Sequence, residues 1–184
     1  ILFDRKRAVG VEIARDGAIE EVKAAREVIL SAGGYGSPHL LLLSGIGPAD
    51  DLAKLQIQVL EDLPVGLNLE DHPVAGITYF TDVETLMTAA TGGNIELLQK
   101  EGRGPLTSNA AEAGGFVRTR PELKAPDIQY FFLPAMYFEE GLTAPFDHAF
   151  TLGSCLLKPS SKGKVSLRTA RPDDAILSEE ATDD

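Results

Sequence analysis

Between Val28 and Pro48 the chain reads Val-Ile-Leu-Ser-Ala-Gly-Gly-Tyr-Gly-Ser-Pro-His-Leu-Leu-Leu-Leu-Ser-Gly-Ile-Gly-Pro. No other stretch restricts the fold as tightly. Val28, Ile29 and Leu30 form a short continuous apolar run, the pattern of a strand buried in a parallel sheet. Gly33 and Gly34 allow a tight turn and a close approach by another group. Ser37 is suited to cap a helix and Pro38 to open one. Leu40–Leu43 then supply an apolar helical face. Gly45, Gly47 and Pro48 end it. The free N–H groups at such a helix start suit an anion such as a diphosphate. A plain strand–turn–helix without a ligand fits the same residues equally well, because glycine turns alone are weak signals.

The longer pattern is more specific. From Gly33 to Gly47 it runs Gly, a small residue, two free positions, Ser37-Pro38, a free position, two aliphatics, two free positions, then Ser44-Gly45-Ile46-Gly47. This resembles the second signature of the glucose-methanol-choline (GMC) oxidoreductases. One element departs: Gly34 stands where that family prefers Ala, Ser, Thr or Pro. Further blocks match in collinear order. They are Ala8–Glu12, Ala25–Leu30, Asp51–Ile57, Val65–Pro73, Pro126–Tyr130 and Leu156–Val165. Pro64-Val65-Gly66 is one residue shorter than the family's Pro-Gly-Val-Gly. The similarity covers nearly the whole chain and is nearest to the choline dehydrogenase and alcohol dehydrogenase branch.

The resemblance carries definite expectations. It implies an α+β chain, part of an FAD-binding α/β domain (1–75) followed by part of an antiparallel-sheet substrate domain (76–184). It implies FAD as cofactor, with Ala32, Gly33, Gly34, Ser37, Asn68 and His72 near it. It implies oxidation of a small alcohol to an aldehyde or ketone by hydride transfer to flavin. The family's N-terminal Gly-x-Gly-x-x-Gly motif does not occur in this sequence, and its catalytic histidine is expected beyond Asp184. The chain is therefore expected to be an internal segment of a longer polypeptide, inactive by itself and with no catalytic residue of its own. A non-catalytic remnant or binding module that lacks the redox centre is the alternative.

Charge and composition narrow the remaining classes. The net charge of −11 comes from 17 basic and 28 acidic residues. Such a surface disfavours nucleic acid and anionic membranes. The Leu40–Leu43 run is far too short to span a bilayer. A single cysteine, Cys155, excludes an internal disulfide and fits a reducing, cytoplasmic setting. His39, His72 and His148 have no metal-ligand spacing, so no metal is expected. His39 occupies a free position of the signature. Asp71 and His72 equally suit a hydrogen-bonded domain junction. No serine sits in a nucleophile elbow. The adjacent pairs Glu139-Glu140 and Asp173-Asp174 read as solvated turns.

Periodicity gives the rest. Alternation over 8–14, the Asp16-Gly17 turn and a return over 18–24 predict a hairpin. Helices are expected over 38–44, 48–55 and, loosely, 84–101. Strands are expected over 57–60, 75–81, 116–117, 128–133, 150–156 and 164–168. The later strands have few helices between them, which predicts an antiparallel sheet. Alternation sends Tyr130 and Phe132 to one face and Phe131 to the other. Tyr130 and Phe132 are thus candidates either for an apolar substrate pocket or for ordinary core.

Overall fold

A computed structural model describes residues 1–138 and 141–179; Glu139-Glu140 lies outside them. The described chain divides into two compact units. One holds Ile1–Asp71 and the segment from Ser160 onward, and the other holds His72–Pro159.

The first unit opens with an antiparallel sheet of β1 (Leu2–Asp4), β2 (Arg7–Arg15) and β3 (Ala18–Lys23) in that order. Arg15 pairs with Ala18, so the link is the two-residue Asp16-Gly17 turn. Both residues have positive φ, 50° and 79°, as a primed hairpin turn demands. Helix α1 (Gly33–Leu43) and helix α2 (Ala49–Lys54) follow. Gly45 divides them at φ +85°, and a Cβ there would lie 2.3 Å from the Gln58 carbonyl oxygen. Strand β4 (Leu67–Leu69) belongs to a second sheet, completed by two strands from the end of the described chain. These are β9 (Gly163–Ser166) and β10 (Leu177–Glu179), in the order β10-β9-β4. Leu42, Leu52 and Val165 are almost fully buried and form this unit's core.

The second unit is built on an antiparallel sheet in the order β5-β8-β7-β6. Its strands are β5 (Val74–Phe80), β6 (Ala113–Val117), β7 (Ile128–Leu133) and β8 (Ala149–Leu156). A 3₁₀ turn at Leu86–Thr88 and helix α3 (Gly92–Glu101) lie between β5 and β6. Along β8, Ala149, Thr151, Gly153 and Cys155 are buried and the alternate residues are not. Thr151 is satisfied in place: its hydroxyl donates to the Ala135 carbonyl at 2.9 Å and accepts the Tyr137 N–H at 3.2 Å. Asp127 closes the β6–β7 connection by accepting both the N–H and the hydroxyl of Thr119, at 2.8 and 2.5 Å. Those hydrogen bonds hold its carboxyl below the usual range.

Four expectations are corrected. Val28–Leu30 is neither a strand nor buried: no described strand pairs with it, and Ile29 is 81% exposed. An apolar run becomes a parallel strand only where neighbours complete its ladder and cover both faces. Second, Ser37 does not cap the helix and Pro38 does not open it. The helix starts a turn earlier at Gly33, with Pro38 inside it. Third, residues 57–60 form no strand; only Glu61 bridges, in parallel, to Ile46. Fourth, the segment from Ser160 does not continue the second unit's sheet. Strand β9 pairs with β4 and β10 instead, and Lys164 and Lys162 form ion pairs with Asp51 and Glu70.

Candidate functional site

The first turn of α1 gathers four of the predicted residues. Ala32 precedes the helix at φ −92° and ψ 18°, and no side chain caps the first turn. Gly33 starts it at φ +77°, a left-handed backbone that a side chain strains. Ser37 acts backward: its hydroxyl accepts the Ala32 N–H at 3.0 Å. The serine thus closes the entry loop onto the helix. Ala32, Gly33 and Gly34 are exposed, and a Cβ on either glycine would meet nothing within 4 Å. The opening turn carries no acidic residue. Its first N–H groups and the positive end of the helix dipole therefore meet no carboxylate from that turn. Such an end receives an oxyanion or a sugar hydroxyl.

The other predicted residues are dispersed. Asn68 lies on β4, exposed, with a left-handed backbone at φ 62°. His72, also exposed, places Nε2 3.1 Å from the Leu157 carbonyl, the contact expected of a structural histidine. His39 lies on α1 with Nε2 buried. Among the described residues no group of three or more His, Cys, Asp or Glu could hold a metal ion. Among them, too, no helix is long and apolar enough to cross a membrane.

In the second unit, Tyr130 and Phe132 share one face of the sheet, and the strand register puts Leu152 beside Phe132 and Ile77 beside Leu152. Phe132 meets Phe150 at a ring separation of 5.7 Å, and Phe150 stacks on Tyr79 at 5.4 Å. Tyr79, Ile77, Leu152 and Tyr130 remain about half exposed. The face is an open aromatic and aliphatic surface. Sequence reasoning found only Tyr130 and Phe132. The signal for Phe150 and Leu152 was the alternation along β8, and cross-strand register alone links them to Tyr79 and Ile77. On the opposite face, the Phe131 ring lies over Gly153.

Sequence reasoning also missed a charged cluster in the first unit. Asp51 on α2 accepts from Lys54 at 2.8 Å and from Lys164 on β9. The hydrogen bond from Lys164, then that from Lys54, draws the Asp51 carboxyl down to about 2. Asp51 in turn raises Lys54. The cluster rims a cleft of about 150 Å³ walled by Leu42, Leu52, Leu55 and Val165. The i, i+3 pair was visible in sequence; the third member is far away along the chain.

The fold is an α+β chain with two antiparallel-sheet units, and comparison with known proteins makes the class specific. Residues 1–74 match the family model described as GMC oxidoreductase. A GMC-type oxidoreductase of Mycobacterium bovis is 44% identical over 173 residues, which cover 94% of this chain and 33% of that protein. The oxygen-dependent choline dehydrogenase of Rhizobium johnstonii is 43% identical over 183 residues, covering 94% and 32%. The structure of Aspergillus oryzae formate oxidase superposes with a TM-score of 0.78 at 26% identity, covering 94% of this chain and 36% of that one. The chain belongs to the GMC oxidoreductase family. It spans about a third of the length of the curated relatives it matches.

Proposed function

We propose that the chain serves an FAD-dependent oxidoreductase that acts on the CH–OH group of a small alcohol and yields an aldehyde or ketone. The observation that carries this reading is the exposed, acid-free start of α1 at Gly33, inside the stretch that matches the family. Open space over Gly33 and Gly34, together with free N–H groups, fits a dinucleotide's diphosphate or ribose. Bound there, FAD would supply the two-electron acceptor that takes the hydride.

The chain's own residues have local tasks in this reading. Ala32, Gly33 and Gly34 offer backbone contacts, and Ser37 keeps the entry loop closed on the helix. Asn68 and His72 are assigned to the flavin surroundings on the family resemblance of their block. The unit carrying α1 belongs to the cofactor side and the four-stranded sheet to the substrate side. Tyr130 and Phe132 contribute apolar surface that excludes water from a bound alcohol. No proton acceptor is assigned here: the described contacts of His72 and His148 are structural, and Nε2 of His39 is buried.

The experiment is an FAD titration of the purified chain followed by flavin fluorescence, then anaerobic addition of choline and simple alcohols. Weak FAD binding without bleaching is expected of this chain alone. The same protein at the full length of its relatives is expected to bind FAD and bleach. Tight FAD binding and alcohol-driven bleaching by these 184 residues would overturn the division of labour. A full-length protein that holds no FAD would favour the non-catalytic alternative.

A further inference from the structure

We propose that His148 is a pH-responsive latch that holds the Thr85–Ala89 segment against the head of β8. Thr85 is 8% exposed. Its backbone N–H donates to Nδ1 of His148 at 3.1 Å, and its hydroxyl oxygen lies 2.9 Å from the same nitrogen. An N–H cannot donate to a nitrogen that already carries a proton. In the latch the ring is the neutral tautomer protonated on Nε2, with its one Nδ1 lone pair accepting the Thr85 N–H and the threonine hydroxyl alongside it. The same hydroxyl oxygen accepts the Met87 N–H at 3.4 Å, which starts the 3₁₀ turn. One imidazole lone pair thus ends a short relay that orders the turn.

Protonating Nδ1 reverses the relay. The Thr85 N–H then faces another N–H in a part-buried position. A buried donor without an acceptor is costly, so the segment opens to recover solvent. Two other contacts remain to keep the opening local: Leu86 N–H donates to the Pro134 carbonyl, and Thr81 N–H to the His148 carbonyl. Imidazoles as a class change charge between about pH 5 and 8. The latch is closed while the ring is neutral and released once it is protonated. The titratable groups on the flanking segments are Asp147 next to His148 in the chain, Asp82 and Glu84 just before the held segment, Tyr79 on β5 and Tyr137. Asp147 accepts the His148 N–H and Glu84 accepts the Thr88 hydroxyl.

The test is hydrogen exchange of the full chain, corrected for intrinsic pH dependence, in the wild type and His148→Asn. The asparagine carbonyl can accept at the Nδ1 position but cannot titrate. Lowering the pH from about 7.5 to about 5.5 should raise opening across residues 84–89 roughly tenfold in the wild type, the scale of one lost buried hydrogen bond. His148→Asn should show no such step. An equal step in both proteins would assign the effect to the carboxylates, and no step in either would remove the latch. The ring ¹⁵N shifts of the wild type give a check that needs no variant. An Nδ1-protonated tautomer at neutral pH would overturn the proposal.

Discussion

Replacing Asp51 by asparagine keeps the shape of the side chain and removes its charge from between Lys54 and Lys164. The Asp51 carboxyl is drawn to about 2 from an ordinary 3.8. A shift of that size corresponds to roughly 2.5 kcal/mol if taken whole. About a third of the Asp51 side chain is exposed and Lys54 is mostly exposed, so solvent screening reduces the contribution to about 1 kcal/mol. The sign follows from a lowered carboxylate: the contribution is complete above the unfolded value and is lost as pH falls through the folded one. Asp51→Asn should therefore destabilise the protein by about 1 kcal/mol at pH 7 in urea unfolding followed by circular dichroism. The gap to wild type should shrink to about half near pH 3 and close toward pH 2. It should also narrow in 1 M salt, at about which concentration the Debye length is only ~3 Å. A gap that stays constant from pH 7 to pH 3 would refute the argument, because the loss would then owe nothing to the ionised carboxylate.

Other changes test single contacts. Gly153→Ala places a Cβ 2.0 Å from the Phe131 ring and should cost about 1–3 kcal/mol by overpacking, read as a lowered urea midpoint. Thr151→Val removes the part-buried acceptor of the Tyr137 N–H and the donor to the Ala135 carbonyl and should cost about 1–3 kcal/mol in the same assay. The adjacent glycines of α1 should respond in opposite directions to alanine. Gly34→Ala meets open space and should stabilise by up to about 1 kcal/mol through helix propensity. Gly33→Ala forces a side chain onto φ +77° and should destabilise by about 1–2 kcal/mol. Equal effects from the two, in thermal melts run side by side, would refute the helix start assigned here.

Local physics made some of this structure readable from sequence. Asp16-Gly17 sits between alternating strands, and the backbone that such a pair favours is the backbone a two-residue hairpin requires. Strands over residues 150–156 and 128–133, with Tyr130 and Phe132 on one face, were likewise legible, and the turn-rich links between them announced antiparallel pairing. The Gly33–Gly47 signature identified the family, because a pattern so long combines several independent backbone demands in one order.

Other features depend on partners that no local pattern names. Ser37-Pro38 has the chemistry of a helix start, yet the Ala32 N–H reaches the Ser37 hydroxyl and the helix begins at Gly33. Val28–Leu30 has the composition of a buried strand, but burial comes from neighbours, and none of the described strands pairs with it. Tertiary structure alone returns the segment from Ser160 to the first unit, because β9 finds its hydrogen-bonding edge on β4 and Lys164 finds Asp51. The sequence by itself determined the family, the hairpin and the strand faces, since each rests on residues close together in the chain. Which strand pairs with which, and which charges meet, was decided only by the folded chain, where residues more than a hundred positions apart share one sheet and one ion cluster.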